Sequence, residues 1–194
     1  MSLSAPDARR ALKHTRTIRV EGFARDDGLW DIDAHITDIK TTEVLLESGV
    51  LAANAPLHDL WLRLTVDVGL TIVAAEAVSV AVPYPGQCDT IGPAYQKLVG
   101  LNLMKRFRAD VKERLGGICG CTHLTELAQM LPTAAMQALA GEIFGGRDAD
   151  GTDAGKKPLQ LDRCHALRSD GATVARYYPR WAVAGDIPVK AKLP

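Results

Sequence analysis

The chain has 194 residues, enough for one good hydrophobic core and small for two. Its 23 Lys plus Arg balance 23 Asp plus Glu, so no net field draws it to nucleic acid or an anionic membrane, and small neutral molecules fit better as partners. With 47% hydrophobic and 24% charged residues it has the make-up of a soluble globular protein.

Residues 1–15 read as a loose polar and basic arm without the apolar centre of a secretory signal. RTIRVEGFARDDGLWDIDAHITDIK then reads as a hairpin closed around Asp27-Gly28. In its second half Trp30, Ile32, Ala34 and Ile36 alternate with Asp31, Asp33, His35 and Thr37, the pattern of a half-exposed antiparallel strand. A linker with Gly49, Asn54 and Pro56 leads to HDLWLRLTVDVGLTIVAAEAVSVAV, a second hairpin turning near Val68-Gly69 and expected at the centre of the sheet. Within it LTIVAAEAVSVAVPY is the longest apolar-rich run, too short and too interrupted by Glu76 and Ser79 to cross a bilayer.

PYPG halts the sheet, and from about residue 89 the period becomes helical: Ile91, Tyr95, Leu98 and Val99, then Phe107, Val111 and Leu115. After Gly116-Gly117, Thr122 reads as an N-cap for a stripe of Leu124, Leu127, Leu131, Ala135 and Leu139, with Pro132 expected to kink or split the helix. Residues 145–158, GGRDADGTDAGKKP, have the composition of a flexible loop, and LDRCHALRSDGATVARYYPRWAV reads as a further hairpin turning at Asp170-Gly171. Strands before helices predict one α+β domain over 16–194, an antiparallel sheet of two hairpins covered on one face by helices. The expected location is cytoplasmic, where Cys88, Cys119, Cys121 and Cys164 stay reduced and serve packing, catalysis or metal binding.

Three turns carry side chains that bind metals. His58 and Asp59 open the second hairpin, Cys88 follows it, and Cys121 with His123 stands at the next helix entrance. The start of one hairpin strand and the end of the other share a sheet edge, which brings residue 58 toward residue 88. A helix N-terminus favours a thiolate, so a mononuclear site from His58, Cys88, Cys121 and His123 is stereochemically reasonable. Cys121 is taken over Cys119 as the ligand, and Cys164-His165 forms a separate pair. Any one of these cysteines taken alone reads more readily as packing. Asp31, His35 and Asp59 are the candidates for proton transfer, although the first two read more readily as a solvated sheet face. Trp61 and Tyr84 are candidate walls of a substrate pocket.

HDLWLRLTVDVGLTIVAAEA, YPGQCDTIGPAYQKLVGLNL and GCTHLTEL together resemble the iron-sulfur cluster assembly scaffold fold over residues 58–142. The resemblance implies that the three cysteine positions of that fold lie at His58, Cys88 and Cys121, with its auxiliary aspartate near Asp59. RDDGLWDIDAHITD, HDLWLRLT, GGICGCTHLTEL and CHALRSDG resemble a bacterial family known as domain of unknown function 2889, over roughly residues 14–181; that resemblance implies no particular activity. Histidine at the first scaffold position makes the site harder, better suited to zinc or mononuclear iron than to a transient cluster. The expected function is a metal-dependent lyase or hydrolase of a small organic catabolite, aromatic compounds included. The alternatives are a non-catalytic metal or iron-sulfur carrier and a purely structural module. A homo-oligomer is compatible with either functional reading.

Overall fold

The alternation from Trp30 onward folds as expected. A computed structural model describes residues 3–143, 157–158 and 160–183, and the chain divides into two units, Met1–Ile143 and Phe144–Pro194. Of the segment read as a flexible loop, residues 145–156 lie outside the described residues.

In the first unit, β1 (His14–Ala24) and β2 (Trp30–Lys40) form the first hairpin. Its turn carries Gly28 at φ 80°, where a side chain would be strained. The second hairpin pairs β5 (Pro56–Val66) with β6 (Ile72–Ala81). Between the two lies a small hairpin, β3 (Val44–Leu46) with β4 (Gly49–Leu51). The sequence hides it in a linker because three-residue strands are too short to show a period. The main sheet is antiparallel in the order β1-β2-β5-β6. Its inner strands are therefore β2 and β5, one from each hairpin, and β6 is an edge rather than part of the centre.

Strand parity decides which side chains meet. Ile32, Ala34 and Ile36 of β2 and Leu60, Leu62 and Leu64 of β5 are buried on one face. That face is covered by α1 (Phe107–Leu115) and α2 (Thr122–Ala138), which contribute Phe107, Val111, Leu115, Leu124, Leu127 and Leu131 to the same core. A short α3 (Ala140–Ile143) follows. The periodic segment around Tyr95 is a 3-10 helix, Gly92–Leu98, with Pro93 in its first turn. α2 runs unbroken through Pro132, which lacks one N–H bond but is itself buried with Leu131 and Ala135. Its N-cap is Cys121, not Thr122, and the Cys121 N–H is taken by the Tyr95 hydroxyl.

α2 approaches β1 closely at Gly22, where an added Cβ would stand 2.4 Å from the Cβ of Ala138. Gly22→Ala is expected to cost about 2 kcal/mol in chemical denaturation, because neither strand nor helix backbone can yield freely. An unchanged midpoint would show that the helix is free to lift away.

In the second unit the segment expected as a hairpin is helical. A 3-10 helix, His165–Leu167, precedes α4 (Ala172–Tyr177), and Gly171 caps α4 where a turn was expected. Only Val174 of α4 is buried, so no period of two exists there to support a strand.

A candidate metal centre

Asp38 continues the apolar register of β2. It stands two residues beyond Ile36 on the buried face, and is 2% exposed. By the same parity His58 precedes Leu60 on β5, and His14 and Arg16 precede Ile18 on β1. The first turn of α2 adds His123 from above. Four elements thus bring three histidines and an arginine around one carboxylate.

The Arg16 guanidinium donates two parallel bonds to Asp38, Nε to Oδ1 at 2.9 Å and Nη2 to Oδ2 at 2.9 Å. His14 Nε2 stands 2.7 Å from Oδ1, and His58 Nδ1 stands 3.0 Å from Oδ2. His123 Nε2 is 4.0 Å from Oδ2, and its ring lies against that of His58 with centroids 3.9 Å apart and planes tilted by 37°. Arg16 also reaches Glu126 of α2 at 3.1 Å, tying helix to strand. Cys121 Sγ sits 4.0 Å from His123 Nδ1, on the side of the ring away from Asp38.

Among the described residues, Asp38, His58 and His123 are the group whose donor atoms all lie within 4.8 Å of one another. Two donors about 2.1 Å from an ion at a tetrahedral angle stand about 3.4 Å apart. The separations of 3.0 and 4.0 Å from Oδ2 bracket that distance. Seating an ion requires one imidazole to turn and the proton shared by His58 and Asp38 to leave. Two imidazoles and a carboxylate suit zinc or ferrous iron.

Burial pushes the Asp38 carboxyl up, but the Arg16 guanidinium and the hydrogen bonds from His14 and His58 outweigh it and hold the group well below the usual carboxylate range. Burial holds His123 below the ordinary histidine value, with His58 and Arg16 acting in the same direction. An imidazole kept neutral is one ready to ligate.

The residues expected from the sequence separate. His58 and His123 join the group. Neither Cys88 nor Cys121 belongs to it: Cys88 opens a 3-10 helix (Cys88–Thr90) after β6, and Cys121 is the neighbour of His123 described above. Asp31, His35, Asp59 and Trp61 lie on the opposite face of the sheet, since odd positions of β2 and β5 face away from the helices. There His35 Nε2 meets Asp59 Oδ1 at 2.8 Å and stacks on Trp61 at 3.9 Å, while Asp31 accepts a bond from Thr65. Trp61 lines a shallow depression with Arg63, Glu76 and Val78; Tyr84 is 47% exposed. Asp38, His14 and Arg16 are the residues that sequence reading missed. The available signal was their parity: each is a polar group placed in a run of apolar positions two apart.

The fold and the group define a class, an α+β protein with an antiparallel sheet that carries an imidazole-carboxylate cluster between sheet and helix. The chain belongs to the family described as Protein of unknown function (DUF2889), whose model matches residues 14–137, from the first strand to the end of α2. No curated protein and no solved structure matches the chain. No helix among the described residues is long and apolar enough to cross a membrane.

Proposed function

We propose that the chain is a metal-dependent enzyme, a lyase or hydrolase of a small organic molecule, with a zinc or ferrous ion held by Asp38, His58 and His123. The observation that carries this reading is the convergence of those three donors from β2, β5 and α2 within 4.8 Å. Three protein donors leave coordination positions for water and substrate, and an ion so held polarises a carbonyl or hydroxyl or activates water. His123 and His14 are 25% and 35% exposed in their side chains, so the group is reachable from solvent. His14, bonded to Oδ1, and Arg16, bridging Oδ1 and Oδ2, orient the carboxylate as outer partners. His35 and Asp59 play no part at this ion because the sheet lies between.

The chain carries three histidines at this site and no thiolate triad, which favours a mononuclear ion over cluster transfer. The test is equilibrium dialysis of metal-stripped protein against zinc or ferrous iron, followed by assays on small esters, amides and hydroxy acids with and without the ion. One ion per chain is expected, with affinity about 100-fold lower in His58→Ala and in His123→Ala and turnover in the loaded wild type alone. Equal binding by wild type and both variants removes this reading. Tight binding without turnover on any substrate class leaves a carrier in place of an enzyme.

A further inference from the structure

The two edges of the main sheet differ. Along β6, Ile72 N–H donates to Leu101 O at 2.9 Å, Gly100 N–H to Ile72 O at 2.8 Å, and the Gln96 side-chain amide to Ala75 O. Gly92 packs so closely on Ala77 O that an added Cβ would stand 2.5 Å from it. Residues 92–103 therefore cover that edge from Ile72 to Ala77. Along β1 nothing comparable exists among the described residues of the first unit: its neighbours there are β2 on one side and α2 above. An uncovered edge of eleven residues is a template for another strand.

The hydrogen-bond phase shows which groups it offers. Thr41 N–H donates to Lys13 O at 3.3 Å and Arg25 N–H to Leu29 O at 3.0 Å, at the two ends of the β1-β2 ladder. Odd positions of β1 thus bond to β2, and His14, Arg16, Ile18, Val20, Gly22 and Ala24 turn their backbone N–H and C=O groups outward. A strand docking here must pair with even positions.

We propose that the β1 edge is the interface between two copies of this chain, joined antiparallel about a two-fold axis at Val20 into a continuous eight-stranded sheet. Charge selects both occupant and register. With the axis at Val20, Arg19 faces the partner's Glu21 and Glu21 faces the partner's Arg19, two opposite-charge pairs at the closely spaced, non-hydrogen-bonded positions. Shifting the axis half a repeat either way sets Arg19 against Arg19 or Glu21 against Glu21. Within one chain these two side chains approach to 3.4 Å at 57% and 44% exposure, and the Arg19 guanidinium also lies 5.8 Å from the centre of the Trp61 ring, so both stand at the surface a partner would meet. On the helix side Ile18 faces the partner's Gly22 and Val20 faces itself, keeping the joint apolar. Glu126 bonds to Arg16 of β1, so Met130, one turn further along α2 and 43% exposed, overlooks the same edge.

The proposal goes beyond the metal site and does not depend on it. Sedimentation velocity on the full chain is expected to give twice the chain mass of 20.9 kDa. Glu21→Arg places like charges opposite and is expected to halve that mass, while Arg19→Glu combined with Glu21→Arg restores it. Val20→Pro, which removes an N–H that β2 does not use, is expected to be monomeric with an unchanged far-ultraviolet dichroism spectrum. A wild type that stays monomeric overturns the proposal and leaves the edge to some other strand. A dimer that survives Glu21→Arg overturns it as well, and so does one that survives Val20→Pro.

Discussion

Asp38→Ala is expected to destabilise the folded chain by about 3 kcal/mol and to abolish metal binding. Removing one member of a buried charge pair leaves the others without a partner, and such losses run about 3–5 kcal/mol. The lower end applies because Arg16, at 31% side-chain exposure, retains some water. The substitution also strands His14 and His58, each bonded to the same carboxylate. Urea unfolding of wild type and variant checks the magnitude; a difference under about 1 kcal/mol would mean that the cluster is solvated and contributes little.

Its pH dependence follows from the sign of the shift. The folded state holds the Asp38 carboxyl below its ordinary value, so the stabilisation is fully present above the unfolded carboxyl's value of about 4. It is lost as pH falls through the lower folded value. Asp38→Asn should therefore lose less stability than wild type on going from neutral pH to below about 4. Parallel curves for the two proteins would contradict the assignment.

Tyr95→Ala is expected to cost about 4 kcal/mol, within the range for truncating a fully buried aromatic side chain. Tyr95 is 0% exposed and belongs to the main hydrophobic core. Its hydroxyl donates to Cys121 O at 2.9 Å, accepts from Cys121 N–H at 3.1 Å, and meets the Thr125 hydroxyl at 2.9 Å. That hydroxyl satisfies the N–H of the N-cap residue of α2, a helix with no side-chain cap of its own. Tyr95→Phe isolates this contribution and should cost about 1–2 kcal/mol. Burial pushes the phenol up to about 12, against the opposing bonds to Thr125 and Cys121. The folded value lies above the unfolded one, so stability is intact below about pH 10 and declines as pH rises toward about 12. Tyr95→Phe should flatten that alkaline decline, and calorimetry across the range checks it.

Much of the fold was legible because its elements carry long, regular periods. The alternation of Trp30 through Ile36 and of Leu60 through Val66 fixed two strands and their buried faces, and the stripe from Leu124 to Ala135 fixed α2. Three-residue strands at Val44–Leu46 and Gly49–Leu51 left no such trace. Nor did the 3-10 geometry at Gly92–Leu98, where a tight turn spaces its apolar residues much as an α-helix would.

The site was half legible for a related reason. Residue type singled out His58 and His123 but also drew attention to the four cysteines, and no donor group of three or more among the described residues includes one. Adjacent residues on a strand face opposite ways, so His58 and Asp59 were never able to serve one ion. Parity also points to Asp38, a carboxylate at a position where the strand otherwise places Ile or Ala. Counting parity first, and residue type second, recovers the cluster.

Cobalt substitution tests the central claim most directly, because its visible spectrum reports which atoms surround the ion. The account predicts one cobalt per chain with the weak bands of nitrogen and oxygen donors, lost in His58→Ala and His123→Ala and unchanged in Cys88→Ala. An intense sulfur-to-cobalt band that disappears in Cys88→Ala, or no cobalt bound at all, would contradict it.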